Sequence, residues 1–244
     1  MYLNLSMMLS MMPKICLSTL TAILLPLAFT PEVMLAQTVN FKPPSGRAPK
    51  TTTGAATRDQ SCLFDSAQPN KKTSPILPQT NYGLTTSSRP EILIFKTKSS
   101  ARQIFFSLES EDGEQVYQTF SPLSSDVGFV KINFPSQAPD LIANKKYKWT
   151  MTFICGKALR PDSPAIAGWV QRTTPTQALT TKLRNASPIA RVAIYGENGI
   201  WYDMINELYR LQKQSPDNST ISQAWEKLLK DHVVQSSESV TLVK

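Results

Sequence analysis

Residues 91–174 carry the pattern that most limits the fold. Short runs rich in Val, Ile, Phe, Tyr and Trp recur there, each closed by turn residues, with no helical period between them. EILIFKTK is a compact apolar run, and RQIFFSLES alternates in its second half. Glu111-Asp112-Gly113-Glu114 then makes a turn, Asp-Gly being the strongest short hairpin signal. The chain returns through EQVYQTFS. Val130, Ile132 and Phe134 next alternate against polar neighbours until Pro135 ends the run. Tyr147, Trp149, Met151 and Phe153 share one face of KKYKWTMTFIC, and AIAGWVQRT adds a last strand before Pro175. About six short strands at regular spacing predict an antiparallel β-sandwich over residues 61–174. Upstream, Cys62-Leu63-Phe64 reads as a first short strand. Prolines and Gly83 leave room only for edge pieces near Ile76-Leu77 and Tyr82-Leu84.

Leu141 lies six residues before Tyr147, at the entry to a strand. Sandwiches of the immunoglobulin and fibronectin type III class place a tyrosine there, its hydroxyl bonded back to the preceding backbone. The spacing equally suits an ordinary strand tyrosine on a half-buried face. The expected fold is mainly β with α: an immunoglobulin/fibronectin type III-like sandwich followed by a packed helical unit over 175–236.

Past Pro175 the period becomes helical. TQALTTKLRN predicts a short helix, and Ser187-Pro188 is a start signal with Ser as N-cap and Pro at the first helical position. Trp201, Met204, Ile205, Leu208 and Leu211 recur at helical spacing. Thr220 with Gln223 three residues on reads as a capping box, opening a helix with Ile221, Trp225, Leu228 and Leu229 on one face. These last two helices are expected to form an antiparallel hairpin against the sandwich. Residues 237–244 form a tail.

The N-terminus reads differently. Residues 15–29, ICLSTLTAILLPLAF, follow Lys14 and precede Met34-Leu35-Ala36-Gln37. That is the layout of a secretory signal, too short for a bilayer span, which needs ~20 apolar residues. We expect residues 1–36 to be a signal peptide, cleaved after Ala36, with an uncleaved anchor or a buried helix as the alternative. Met11 or Met12 would give a more compact start. Residues 37–60 are rich in Thr, Pro, Gly and Lys and are expected to be a disordered linker.

Export sets the cysteine logic. Cys16 leaves with the signal, so Cys62 and Cys155 remain and most simply pair, the alternative being two unrelated buried thiols. Net charge is +8 with the basic residues scattered, which argues against a clustered nucleic-acid site. No nucleic acid, no stable membrane span after cleavage and no cofactor are expected; oligomeric state is not readable.

His232, the single histidine, falls at the end of the last expected helix, where no Ser-His-Asp arrangement can be argued, and with Cys62 and Cys155 paired it is too few for the three or four ligands of a zinc site. The acids at 109–114 are explained by a solvated turn. Glu197 and Asp203 flank Gly199-Ile200-Trp201-Tyr202 and are the weak catalytic candidates, since two carboxylates suffice for glycoside hydrolysis. Trp201 and Tyr202 beside them are a candidate binding surface. The blander reading places Asp203 in a helix first turn and packs Trp201 inward. Asn185 and Asn218 head glycosylation sequons, relevant only in a eukaryotic secretory host.

Gly54, Thr57, Arg58 and Cys62, then PEILIF, FSLESEDGEQVY, GFVKINFP, KKYKWTMTFIC, GWVQR and AIYGENGIWYD, occur in an order that resembles a family of exported cyanobacterial proteins catalogued as domain of unknown function 928. The likeness spans about residues 54–232, and its most specific piece is 195–203, YGENGIWYD. GAATRDQSC is poorer in glycine than that family's usual approach to the first cysteine. The resemblance implies a two-cysteine exported domain and a cyanobacterial source, and supplies no activity. The expected function is a non-catalytic, exported interaction module of the cell envelope, periplasmic or secreted, with an envelope protein or glycan as partner. The alternatives are an envelope glycan or peptide hydrolase using Glu197 and Asp203, and a structural assembly factor.

Overall fold

The computed structural model describes residues 39–44, 61–65 and 68–232. The expected signal peptide at 1–36, most of the expected linker at 37–60 and the expected tail at 237–244 lie outside them. The strands are β1 (Phe64–Asp65), β2 (Gln68–Lys72), β3 (Ser74–Pro75), β4 (Tyr82–Thr85), β5 (Glu91–Lys96), β6 (Gln103–Ser110), β7 (Gln115–Pro122), β8 (Gly128–Asn133), β9 (Lys146–Ile154) and β10 (Ala165–Arg172). The helices are α1 (Gln177–Asn185), α2 (Pro188–Glu197), α3 (Trp201–Gln214) and α4 (Ser219–His232). Among the described residues the fold is therefore mainly β with four helices.

A five-stranded sheet runs β4-β10-β9-β6-β7 and a three-stranded sheet runs β3-β5-β8, with β1 and β2 forming a separate ribbon. β9 is antiparallel to both neighbours, setting Trp149 opposite Leu108 and Gly168. β4, however, is parallel to β10, with Trp169 opposite Tyr82. The larger sheet is mixed, which corrects the all-antiparallel expectation. Parallel strands need a long connection, and β5 to β9 supply it. Gly113 takes φ +83° in the β6–β7 turn, as its Asp-Gly signal requires.

Period two decides the core. On β9, Tyr147, Trp149, Met151 and Phe153 are buried while the residues between them are half-exposed. Side chains from both larger sheets and from α2, α3 and α4 join one buried cluster. Each such large side chain contributes roughly 1.5–3 kcal/mol. Ile142 N–H donates to the Tyr147 hydroxyl at 3.3 Å, so the tyrosine does bond back to the backbone before its strand. Cys62, in a short 3₁₀ turn (Ser61–Leu63), is disulfide-bonded to Cys155 just past β9, 93 residues on, with Cα atoms 6.1 Å apart.

Helix starts follow capping chemistry. Thr176 Oγ1 accepts from Leu179 N for α1, and Ser187 Oγ from Ala190 N for α2. For α4, Asn218 Oδ1 accepts from Ile221 N at 3.2 Å, so the cap lies two residues before the expected Thr220. α4 is anchored by Trp225, packed edge-on to Phe129 at 4.9 Å and against Tyr209 at 5.8 Å.

Residues 39–44 depart from the linker expected there. Val39 and Phe41 are buried, and Phe41 meets Trp201 edge-on at 4.7 Å. Lys42 N–H donates to Gly196 O at 3.0 Å. Alternate apolar residues on an extended segment give it one buried face, enough to strap it over the α2–α3 corner. A Cβ on Gly196 would stand 2.2 Å from Asn40 O. Gly199, at φ +70°, turns the chain from α2 into α3 beside Lys42 and Pro44.

Candidate functional site

The polar residues that converge most closely do so along α3. Asp203 lies in its first turn, where the helix dipole favours a negative charge. Its carboxylate accepts from Thr85 Oγ1 at 2.7 Å, from Thr86 N–H at 3.1 Å and from Thr86 Oγ1. Burial still pushes its pKa above the usual carboxylate range, outweighing the hydrogen bonds that pull it down. The carboxylate thereby fixes the end of β4 against α3.

One turn on, Asn206 is buried. Its Nδ2 donates to Glu91 O at 2.9 Å and to Tyr202 O at 2.8 Å, while its Oδ1 is buried with no partner. Such an acceptor costs about 1–3 kcal/mol if left unmet. Beside it, Glu207 accepts from Arg191 at 3.0 Å and from Arg210 at 2.8 Å. The Arg210 hydrogen bonds hold its carboxyl below the usual range against the opposing effect of burial. Lys131 on β8 pairs with Glu91 on β5 at 2.6 Å.

Three cavities follow this face. One of about 280 Å³ and one of about 230 Å³ share Glu91, Asp203 and Asn206 as walls. A third, of about 770 Å³, shares Lys131 and Arg210 with the second and adds Phe129, Tyr209 and Lys213. Together they trace a trough along α3, lined by hydrogen-bonding groups of both signs. Among the described residues no three His, Cys, Asp or Glu side chains gather as a metal site.

The residues singled out in the sequence have different placements. Glu197 is exposed at the end of α2, 3.6 Å from Lys182, and borders none of these cavities, whereas Asp203 borders two. The two carboxylates are not brought to one cleft. Trp201 and Tyr202 are core, which corrects the binding-surface expectation. Trp201 Nε1 donates to Ile76 O at 3.0 Å; the Tyr202 hydroxyl accepts from Trp149 Nε1 at 2.7 Å and donates to Trp169 O at 3.1 Å. The polar tips that suggested a ligand surface are spent on the β-sheet. Asn206, Glu207, Arg191 and Arg210 escape the sequence reading. Only the Glu207–Arg210 spacing and an Asn four residues after a buried Tyr offer a local signal.

The structure thus defines a disulfide-closed, mainly β domain whose helical unit carries a polar trough. The chain belongs to the family described as Domain of Unknown Function (DUF928), which matches residues 53–241. No curated protein matches it. Among solved structures, the adhesin domain of Epf from Streptococcus pyogenes is similar at 14% identity and TM-score 0.26, over 43% of this chain and 35% of that one. Astrotactin-2, a vertebrate-specific, perforin-like membrane protein, is similar at 12% identity and TM-score 0.27, over 70% and 40%. The chain therefore spans well under half the length of either. Among the described residues no helix is long and apolar enough to cross a membrane.

Proposed function

We propose that this chain is an exported, non-catalytic interaction module of a cyanobacterial-type cell envelope, directed there by a signal peptide at residues 1–36. Its body is an immunoglobulin/fibronectin type III-like sandwich with a packed helical unit, and its partner is an envelope protein or glycan. The Cys62–Cys155 disulfide is the observation that carries the reading, because such bonds persist in oxidising compartments. The Ile142–Tyr147 hydrogen bond supports the sandwich class, and the trough along α3 gives the module a face with which to bind.

The test is fractionation of the native host. The protein should be recovered with the envelope or medium, lacking its first ~36 residues in keeping with a secretory signal. It should resist alkylation until reduced. Recovery of the uncleaved chain in the cytosol with two alkylatable thiols would refute the proposal.

A further inference from the structure

Resting on that reading of an envelope module, we propose that the trough along α3 binds a chain of acidic polysaccharide. The three cavities share walls in sequence, so the site is long and open, as a linear polymer requires. Asn206, Arg210 and Lys213 follow one another along α3 and border the cavities in that order.

The two ends differ in chemistry. At the inner end Asn206 Oδ1 is buried and unpartnered, with both Nδ2 protons committed to backbone carbonyls. A ligand hydroxyl donates to such an oxygen; a carboxylate or sulfate cannot. At the outer end Lys131, Arg210 and Lys213 face one acid, Asp126. Lys131 and Arg210 are already paired with Glu91 and Glu207, whereas exposed Lys213 has no carboxylate partner among the described residues. Its ammonium rests 6.0 Å from the Tyr209 ring. That end attracts an anion, and Tyr209 and Phe129, packed on Trp225, line it with partly buried apolar surface. A ligand with a hydroxyl at one end and an acid at the other satisfies both, and sugar acids repeat those groups along one chain. An acidic peptide meets the cations equally well but brings hydroxyl donors only through particular side chains.

The test is calorimetric titration of the oxidised protein at low salt with a galacturonic acid hexamer, beside maltohexaose and a hexaglutamate peptide. The acidic sugar should bind, more tightly than either control and more weakly as salt rises. It should shift the Asn206 side-chain amide resonances in the ¹⁵N-labelled protein. Lys213→Glu, at an exposed position and checked for native circular dichroism, should lower affinity about fivefold, the order expected when one exposed charge is reversed. Absence of binding, resonance shifts away from α3, unchanged affinity in Lys213→Glu, or hexaglutamate binding as tightly would each overturn the proposal. If the hexamer fails while the protein still fractionates with the envelope, this site is wrong and the module reading stands. Binding at α3 by a protein confined to the cytosol would leave the site and remove the envelope.

Discussion

Gly196→Ala should change the sign of its effect according to whether the N-terminal strap is present. In the intact protein the new methyl would stand 2.2 Å from Asn40 O and 2.9 Å from the Met204 sulfur. The sulfur ends a flexible side chain and can swing aside. The carbonyl cannot, because Val39 and Phe41 are buried on either side of it and Lys42 is bonded to Gly196 O. Overpacking of this kind costs about 1–3 kcal/mol, with the strap's own docking free energy as the ceiling, since the strap can let go. Remove residues 37–44 and only the movable Met204 sulfur stands near the methyl. Gly196 is helical, so alanine there should stabilise by up to about 1 kcal/mol. Urea unfolding of the four proteins, followed by tryptophan fluorescence, gives the coupling between strap and methyl, expected at about 2–3 kcal/mol. Equal effects of Gly196→Ala in the long and short chains would refute the packing account.

Three further outcomes test other parts of the fold. Replacing Cys62 and Cys155 by alanine frees a span of 93 residues and should cost up to about 4–5 kcal/mol, read by urea midpoint with and without reductant; a loss below 1 kcal/mol would deny the cross-link a stabilising role. Trp225→Ala should cost about 3–5 kcal/mol and reduce helical circular dichroism by loosening α4 from Phe129 and Tyr209. Because burial raises the Asp203 pKa, the folded chain holds that proton more tightly than the unfolded one. Wild type should therefore gain stability relative to Asp203→Asn as pH falls from neutral through the folded pKa toward 3.8. Glu207 titrates in both proteins and cancels; a gap moving the other way would show that the threonine hydrogen bonds outweigh burial.

Strands β5 to β10 are legible because alternation and closing prolines are local signals, and β9 shows its whole buried face in Tyr147, Trp149, Met151 and Phe153. The start of α2 is legible for the same reason, in Ser187-Pro188. The direction of β4 is not, since four residues of edge strand read the same whichever way they pair. The strap is missed because Val39 and Phe41 are too few to stand out from a Thr- and Pro-rich background, and their burial depends on a corner formed more than 150 residues later. The trough is illegible for a stronger reason. Glu91 and Lys131 come from β5 and β8, while Arg191 and Glu207 come from α2 and α3, and no local spacing relates them.

Residues 195–203, YGENGIWYD, act as scaffold. Gly196 and Gly199 admit the strap, Trp201 and Tyr202 tie α3 to backbone carbonyls of the β region, and Asp203 pins Thr85 and Thr86. Each of these contacts fixes where α3 begins and how it is rotated. That rotation in turn sets Asn206, Arg210 and Lys213 along the trough rather than toward the core or open solvent. Residues 195–203 therefore determine the placement of a trough whose proposed ligand contacts lie beyond them. Two chains sharing YGENGIWYD should hold α3 alike, while the polymer each prefers depends on what stands at 206, 210 and 213.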